Sequence, residues 1–430
     1  MARQRFALAY GNKEFSVSIP EEDLLGTLKG RYFPPLDDVP SAVRAALDNP
    51  IASPKLKEIV HPGEKVAILV SDITRAWVRS DLFLPTLLEE LNQAGIPDQD
   101  IFIMIAVGSH RAQTREEQVR LVGQEVAERV RVFEHDCRDK ENMVYLGQTP
   151  AGTPISINKM VAEANRIILT GGIVHHFLNG YGGGMKSIMP GVSSYESIMA
   201  HHKVSLSPVR GGGINDRTDS GKTTGNPFYE DVVAAGKLAK PDFLLNVVMN
   251  TTGQIGHVVA GDPVQAHLAG SRIVDEYYNV PITEKAELVV ASCGGYPKDL
   301  NFYQSSKSLY NAIRATKEGK VLVLLSQCPE GLGNDLVAKV ITDFDTNLER
   351  ENYLRDNYDI AGWVGFLTTI CAEKCDVILV TDMPSDLVRQ VGMTPANSLE
   401  EAMEVAYRKT GPNPKTYVMP HAATAFPILE

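Results

Sequence analysis

At 430 residues the chain is longer than one ordinary hydrophobic core organises, so two α/β domains are expected. Hydrophobic residues make up 43% and charged residues 22%, which excludes a disordered chain, and no apolar run approaches the roughly 18 residues of a membrane span. The net charge of −11 excludes a broadly basic nucleic-acid surface while leaving room for a local basic pocket.

The start, Met1-Ala2-Arg3-Gln4-Arg5, lacks the apolar run of a signal peptide, so a cytoplasmic location is expected. The five cysteines, Cys137, Cys293, Cys328, Cys371 and Cys375, are odd in number and scattered, which suggests no disulfide framework. Cys371 and Cys375 stand four apart without further partners and read as core packing.

In chain order, short β-branched runs alternate with helical patterns, the mark of a largely parallel sheet flanked by helices. Strands are predicted at Lys65–Ser71, Ile101–Val107, Arg166–Thr170 and Phe243–Met249, then in a second series at Glu287–Ala291, Lys320–Ser326 and Asp376–Val380. Helices are predicted at Leu82–Ala94, Arg115–Val130, Ser308–Glu318 and Leu399–Arg408. Ser193 or Ser194 is expected to cap a helix carrying Glu196 through His202. Gly211–Pro227 reads as a loop and Tyr277–Glu284 as a hinge. The expected division is an N-terminal α/β domain over 1–280, a C-terminal α/β domain over 281–410, and a tail over 411–430 packing back on the first. The active site is expected in the cleft between the two domains.

The first three predicted strands run into polar clusters: Asp72-Ile73-Thr74-Arg75, Gly108-Ser109-His110-Arg111, and Gly171-Gly172-Ile173-Val174-His175-His176. Ligands of open parallel sheets bind beyond the carboxyl ends of the strands, so these clusters should share one site. A carboxylate, arginines and histidines together point to proton chemistry on an anion.

Residues 171–202 hold four of the ten histidines, 175, 176, 201 and 202, around Gly180-Tyr181-Gly182-Gly183-Gly184-Met185-Lys186-Ser187. The run resembles a phosphate-cradling loop, but Met185 stands where that motif requires Gly before Lys. The histidine pairs also lack the i, i+4 spacing of a zinc-protease helix. Asp72-Ile73-Thr74 after the first strand leaves no place for a dinucleotide-binding Gly-x-Gly-x-x-Gly.

Taken together, Ser71-Asp72-x-Thr74-Arg75, Gly108-x-His110-Arg111, His176 followed by Lys186, His202, and Gly294-Gly295-Tyr296-Pro297-x-Asp299-x-Asn301-x-Tyr303-Gln304-x-x-Lys307 resemble the nickel-dependent lactate racemase family over nearly the whole chain. The resemblance implies a nickel-pincer nucleotide, a pyridinium-3,5-bisthiocarboxylic acid mononucleotide, tethered to Lys186, with His202 as the nickel ligand. It implies His110 and His176 as catalytic histidines, Asp72 as a carboxylate orienting its neighbour histidine, and Arg75, Gln304 and Lys307 as substrate-holding groups. Thr74, Tyr303 and Trp363 are implied to line the cofactor pocket, while His175 and His201 carry no family role. Ala76-Trp77 replaces the Pro usual after the arginine, a departure beside the substrate.

The implied activity is racemisation or epimerisation of a small 2-hydroxy acid, lactate or a relative such as malate, an aryl-lactate or a sugar acid, by reversible hydride transfer. The implied partners are that substrate and the cofactor-biosynthesis proteins, with no nucleic acid and no membrane. A zinc hydrolase and a non-catalytic nickel-cofactor or hydroxy-acid binding protein are the competing readings.

Overall fold

The computed structural model describes residues 2–430. The chain forms two compact units, one of residues 32–205 and 215–276, the other of residues 2–31, 206–214 and 277–430. This differs from the boundaries expected near residues 280 and 410, because the chain crosses between units at four places, after residues 31, 205, 214 and 276. The first crossing reassigns the N-terminus. Arg3–Tyr10 and Lys13–Pro20 form an antiparallel hairpin, and Phe6, Leu8, Val17 and Ile19 pack into the core of the unit that holds the C-terminal sheet. The tail also differs from expectation. Thr416–Met419 pairs with Ala286–Ser292, and Phe426–Leu429 pairs with Asn279–Ile282, so residues 411–430 complete the second unit. The predicted hinge therefore contains a strand.

The unit of residues 32–205 and 215–276 is built on six strands in the order Ile255–Gly261, Phe243–Met249, Arg166–Ile173, Val66–Ser71, Ile101–Ala106, Arg131–Glu134. All neighbours are parallel except the first pair, which is antiparallel. Continuous apolar sequences such as VAILVS and IFIMIA suit strands covered on both faces, and the five leading residues of each are buried. Val66–Ser71 is followed in sequence by strands on one side of it and then by Arg166–Ile173 on the other. The order thus reverses between Val66–Ser71 and Arg166–Ile173, and a ligand crevice is expected at the carboxyl ends there.

The second unit repeats the plan with Thr394–Ala396, Asp376–Val380, Thr316–Leu325, Ala286–Ser292, Thr416–Met419 and Leu24–Thr27, all parallel. Its order reverses between Ala286–Ser292 and Thr416–Met419. The loop 206–214 joins this unit by donating the Gly211 and Gly213 N–H groups to the Glu351 carboxylate, at 2.8 and 2.7 Å.

Local chemistry sets the helix ends. Ser194 accepts from the Ser197 N–H and starts Tyr195–His202. Asn301 accepts from the Gln304 N–H, so Phe302–Ala315 begins a turn and a half before the predicted Ser308. The predicted continuous helix over 115–130 is two helices, Arg115–Val122 and Gln124–Arg129, because Gly123 adopts φ +86° between them. Among the described residues, no helix is long and apolar enough to cross a membrane.

Candidate active site

The reversal point of the first sheet gathers the residues singled out in sequence. Asp72 follows Val66–Ser71 directly and is nearly buried, its side chain 4% exposed against 45% for His110. One carboxylate oxygen lies 2.7 Å from His110 Nδ1, and the other accepts from the Thr74 hydroxyl at 2.8 Å. Arg75 Nη1 then donates to the Thr74 hydroxyl at 2.9 Å. Burial pushes the Asp72 carboxyl up, but the His110 and Thr74 bonds and the Arg75 charge outweigh it, and the group lies below its ordinary range. An ionised carboxylate only accepts, so His110 carries its proton on Nδ1 and leaves Nε2 as a lone pair. Thr74, implied to be a cofactor contact, is placed here as the link between Asp72 and Arg75.

His176 arrives from the other side of the reversal, on a short hairpin pairing His175–His176 with Gly180–Tyr181. Its Nδ1 accepts from the Leu178 and Asn179 N–H groups, both at 3.2 Å. In the neutral ring the proton therefore resides on Nε2, and the 3.2 Å contact with Lys186 Nζ is then a hydrogen bond donated by His176 to the uncharged amine, since an ammonium cannot accept. His175 has a different task. It and the Tyr181 hydroxyl share the two Asp275 oxygens, at 3.1 and 2.6 Å, which pins the hairpin.

Lys186 lies on the one-turn segment Gly184–Ser187. The loop before it fits tightly against the sheet. A Cβ on Gly183, at φ +74°, would stand 2.5 Å from the Asn246 side-chain oxygen, the atom that accepts from the Gly184 N–H at 2.9 Å. A Cβ on Gly184 would meet the His267 ring at 2.8 Å. Trp77, the departure beside Arg75, packs on Gly172, where a Cβ would lie 2.7 Å from its ring. Asn246 and His267 were not singled out in sequence, although a lone Asn inside FLLNVVM is a visible signal.

His202 is buried at the end of its helix and donates Nδ1–H to the Ile198 carbonyl at 2.8 Å. Burial first, then the charges of His201, Lys186 and His110, holds it well below the ordinary imidazole range, so the ring is neutral. That is the donor arrangement of a metal-ligating histidine. Among the described residues, no three His, Cys, Asp or Glu side chains group to hold a metal by themselves.

His201, its neighbour, is fully buried and faces Asp231, with Nδ1 2.7 Å from the carboxylate. The Thr149 and Thr153 hydroxyls donate to the same carboxylate. Burial keeps His201 neutral, whereas its bond and those of the threonines hold Asp231 ionised despite its own burial. This network locks the helix that presents His202. Asp231→Ala leaves the His201 N–H and the Thr149 and Thr153 hydroxyls without their buried acceptor and should therefore cost about 3–5 kcal/mol, at about 1–3 kcal/mol for each unsatisfied group. Urea unfolding of the full chain measures this; a loss under about 1 kcal/mol would show the network to be dispensable.

His267 donates Nε2–H to the Gly182 carbonyl at 2.8 Å, and burial lowers its pKa to about 4. The unfolded state thus binds a proton between about pH 6.5 and about 4 that the folded state refuses. Stability falls as pH drops through that window, by on the order of 3 kcal/mol from this group. Thermal melts should follow this slope, and His267→Gln should flatten it; an equally steep slope in the variant would reject the assignment.

Tyr303, Gln304 and Lys307 lie in the first two turns of Phe302–Ala315 in the second unit, with Gln304 and Lys307 exposed and Tyr303 part-buried. Trp363 lies in Ile360–Lys374 of the second unit and is only 2% exposed.

Comparisons with known proteins give a consistent result. Residues 10–212 match the profile of the lactate racemase N-terminal domain, and residues 282–426 that of the lactate racemase C-terminal domain. The lactate racemase of Thermoanaerobacterium thermosaccharolyticum is 31% identical over 421 residues, 96% of each chain. That of Lactiplantibacillus plantarum is 33% identical over 427 residues, 96% of this chain and 97% of the relative. Among solved structures, the lactate racemase apoprotein from T. thermosaccharolyticum matches with a TM-score of 0.89, covering 99% of this chain and 100% of that one. A Thermotoga maritima protein at 18% identity shares the fold with a TM-score of 0.66, covering 93% of this chain and 100% of that one.

Proposed function

The chain belongs to the lactate racemase family, and from that premise we propose that it inverts the hydroxyl-bearing carbon of a small 2-hydroxy acid using a nickel-pincer nucleotide tethered to Lys186. It is an isomerase by that membership.

The residues present fit the cofactor. The Gly183–Gly184 turn is packed against Asn246 and His267, which fixes the segment that carries Lys186, and His202 offers a neutral ring oriented by the Ile198 carbonyl. Lys186 would carry the nucleotide and His202 would ligate its nickel. When bound, the group supplies a hydride acceptor, which no side chain provides.

The chain's own residues handle the proton and the anion. Removing the hydrogen at C2 as hydride requires the hydroxyl proton to leave as well, and a planar 2-keto acid can be re-reduced from either face. The two enantiomers present that hydroxyl differently, so two acid–base groups are needed. The observation that carries the reading is the opposite poise of the two histidines. His110 offers Nε2 as an acceptor because Asp72 holds its other nitrogen protonated. His176 offers Nε2–H because two backbone N–H groups occupy its other nitrogen. One enantiomer gives its hydroxyl proton to neutral His110 at Nε2; the opposite alkoxide takes one from Nε2 of a His176 imidazolium, whose ring has turned Nδ1 from the two N–H groups to hold its second proton and which is left neutral. The exchanged protonation states then suit the reverse turnover. Arg75 grips the substrate carboxylate, a two-pronged contact that suits its guanidinium.

The test is chiral chromatography after cofactor-loaded protein meets one enantiomer each of lactate, malate, an aryl-lactate and a sugar acid. Conversion of at least one towards its equilibrium mixture is expected. No inversion of any of them by protein carrying the nickel nucleotide would sink the reading.

A further inference from the structure

The second sheet has its own reversal point, between Ala286–Ser292 and Thr416–Met419, and none of the groups assigned above comes from its three converging turns. Each of those turns brings a basic side chain. Lys298 follows Ala286–Ser292, His421 follows Thr416–Met419, and Lys29 follows the adjacent Leu24–Thr27. Gly294, at φ +100°, lies beneath two of them: a Cβ there would stand 3.3 Å from His421 Nδ1 and 3.5 Å from Lys298 Nζ. The two nitrogens thus converge over one backbone position that side chains do not fill.

No acid answers these charges. Among the described residues, no salt bridge joins Lys298, His421 or Lys29 to a carboxylate, although Lys298 is part-buried. Asp299, the next residue, is turned away and accepts instead from the Gly11 N–H at 2.7 Å. Desolvation first, then the charges of Lys298 and Lys29, holds His421 below the ordinary imidazole range, and desolvation likewise lowers Lys298. The His421 shift includes the two neighbouring lysine charges, whereas that of Lys298 comes from its burial alone.

We propose that Lys298, His421 and Lys29 form an anion site at the reversal point of the second sheet, taking a phosphomonoester or free phosphate. Two lysine charges and an imidazole that protonates when an anion arrives match a dianion better than the single charge of a hydroxy-acid carboxylate. The location is where open α/β sheets receive phosphorylated ligands. The proposal needs neither the Lys186 tether nor the racemase chemistry.

The probes are inorganic phosphate, a pyridine mononucleotide and the corresponding nucleoside, titrated calorimetrically against the full-length apoprotein. Phosphate or mononucleotide binding should weaken at least about ten-fold in Lys298→Ala and His421→Ala, and Lys298→Arg should retain it, which guards against misfolding of the alanine variant. A mononucleotide preferred over phosphate, with no nucleoside binding, identifies a nucleotide as the source; equal affinities identify free phosphate. Binding that survives Lys298→Ala but is lost in Lys186→Ala overturns the proposal and leaves the tether reading untouched. Absence of any binding, or lactate binding more tightly than phosphate, also overturns it.

Discussion

His110→Ala and His176→Ala should each lower kcat/KM by at least about 100-fold, the scale of a lost general acid or base. The loss should be equal for the two enantiomers. Their equilibrium constant is one, so whatever slows one direction must slow the other by the same factor, even though each histidine meets only one enantiomer's hydroxyl. A chiral assay run from each pure enantiomer measures both values. Asp72→Asn provides the internal comparison. Its amide can face His110 with an N–H, favouring the tautomer whose Nε2 is already protonated. Asp72 acts only by positioning His110, so a loss of about 10- to 100-fold is expected, together with a changed pH profile. Activity near that of the parent in either alanine variant would remove that histidine from the mechanism.

Lys186→Ala carries the second large effect. With the amine gone, the covalent link cannot form, and inversion should fall to background. Lys186→Arg should do no better, since a guanidinium keeps the charge but does not supply a nucleophilic amine. The fold should survive both, because Lys186 is held by its own short turn, in which the Lys186 carbonyl accepts from the Gly191 N–H at 3.0 Å. Intact mass and circular dichroism of each variant, prepared beside the parent in a host that makes the cofactor, separate these effects. Retained inversion in Lys186→Ala would place the attachment elsewhere or deny it.

Much of both six-stranded sheets was legible because parallel strands buried on both faces read as unbroken apolar runs. Phe243–Met249 and Asp376–Val380 match their predicted bounds, and the clusters after Ser71, Ala106 and Ile173 fall at the carboxyl ends as expected. The terminal strands were not legible. Arg3–Tyr10 and Lys13–Pro20 alternate buried and exposed residues, and nothing local reveals that they pack in the unit formed mainly by residues beyond 276. Chain proximity favours the wrong partner there.

Within the site, the histidine pairs were visible but their division of labour was not. It depends on what each second nitrogen touches: a carboxylate at Asp72, 38 residues from His110; one at Asp231, 30 residues from His201; and one at Asp275, 100 residues from His175. Such pairings are made by topology, so sequence spacing does not reveal them. The structure separates His201, locked to Asp231, from His202, whose Nδ1 donates to the Ile198 carbonyl and whose ring is neutral. It likewise gives His175 to the hairpin and His176 to Lys186.

The central claim is tested most directly by the mass of the peptide containing Lys186, with nickel measured on the same sample, from protein made where the nickel-pincer nucleotide is synthesised. The account predicts a nucleotide-sized adduct on Lys186 and about one nickel per chain, in proportion to the adduct. An unmodified Lys186 in that host, while a control relative becomes loaded, would contradict it.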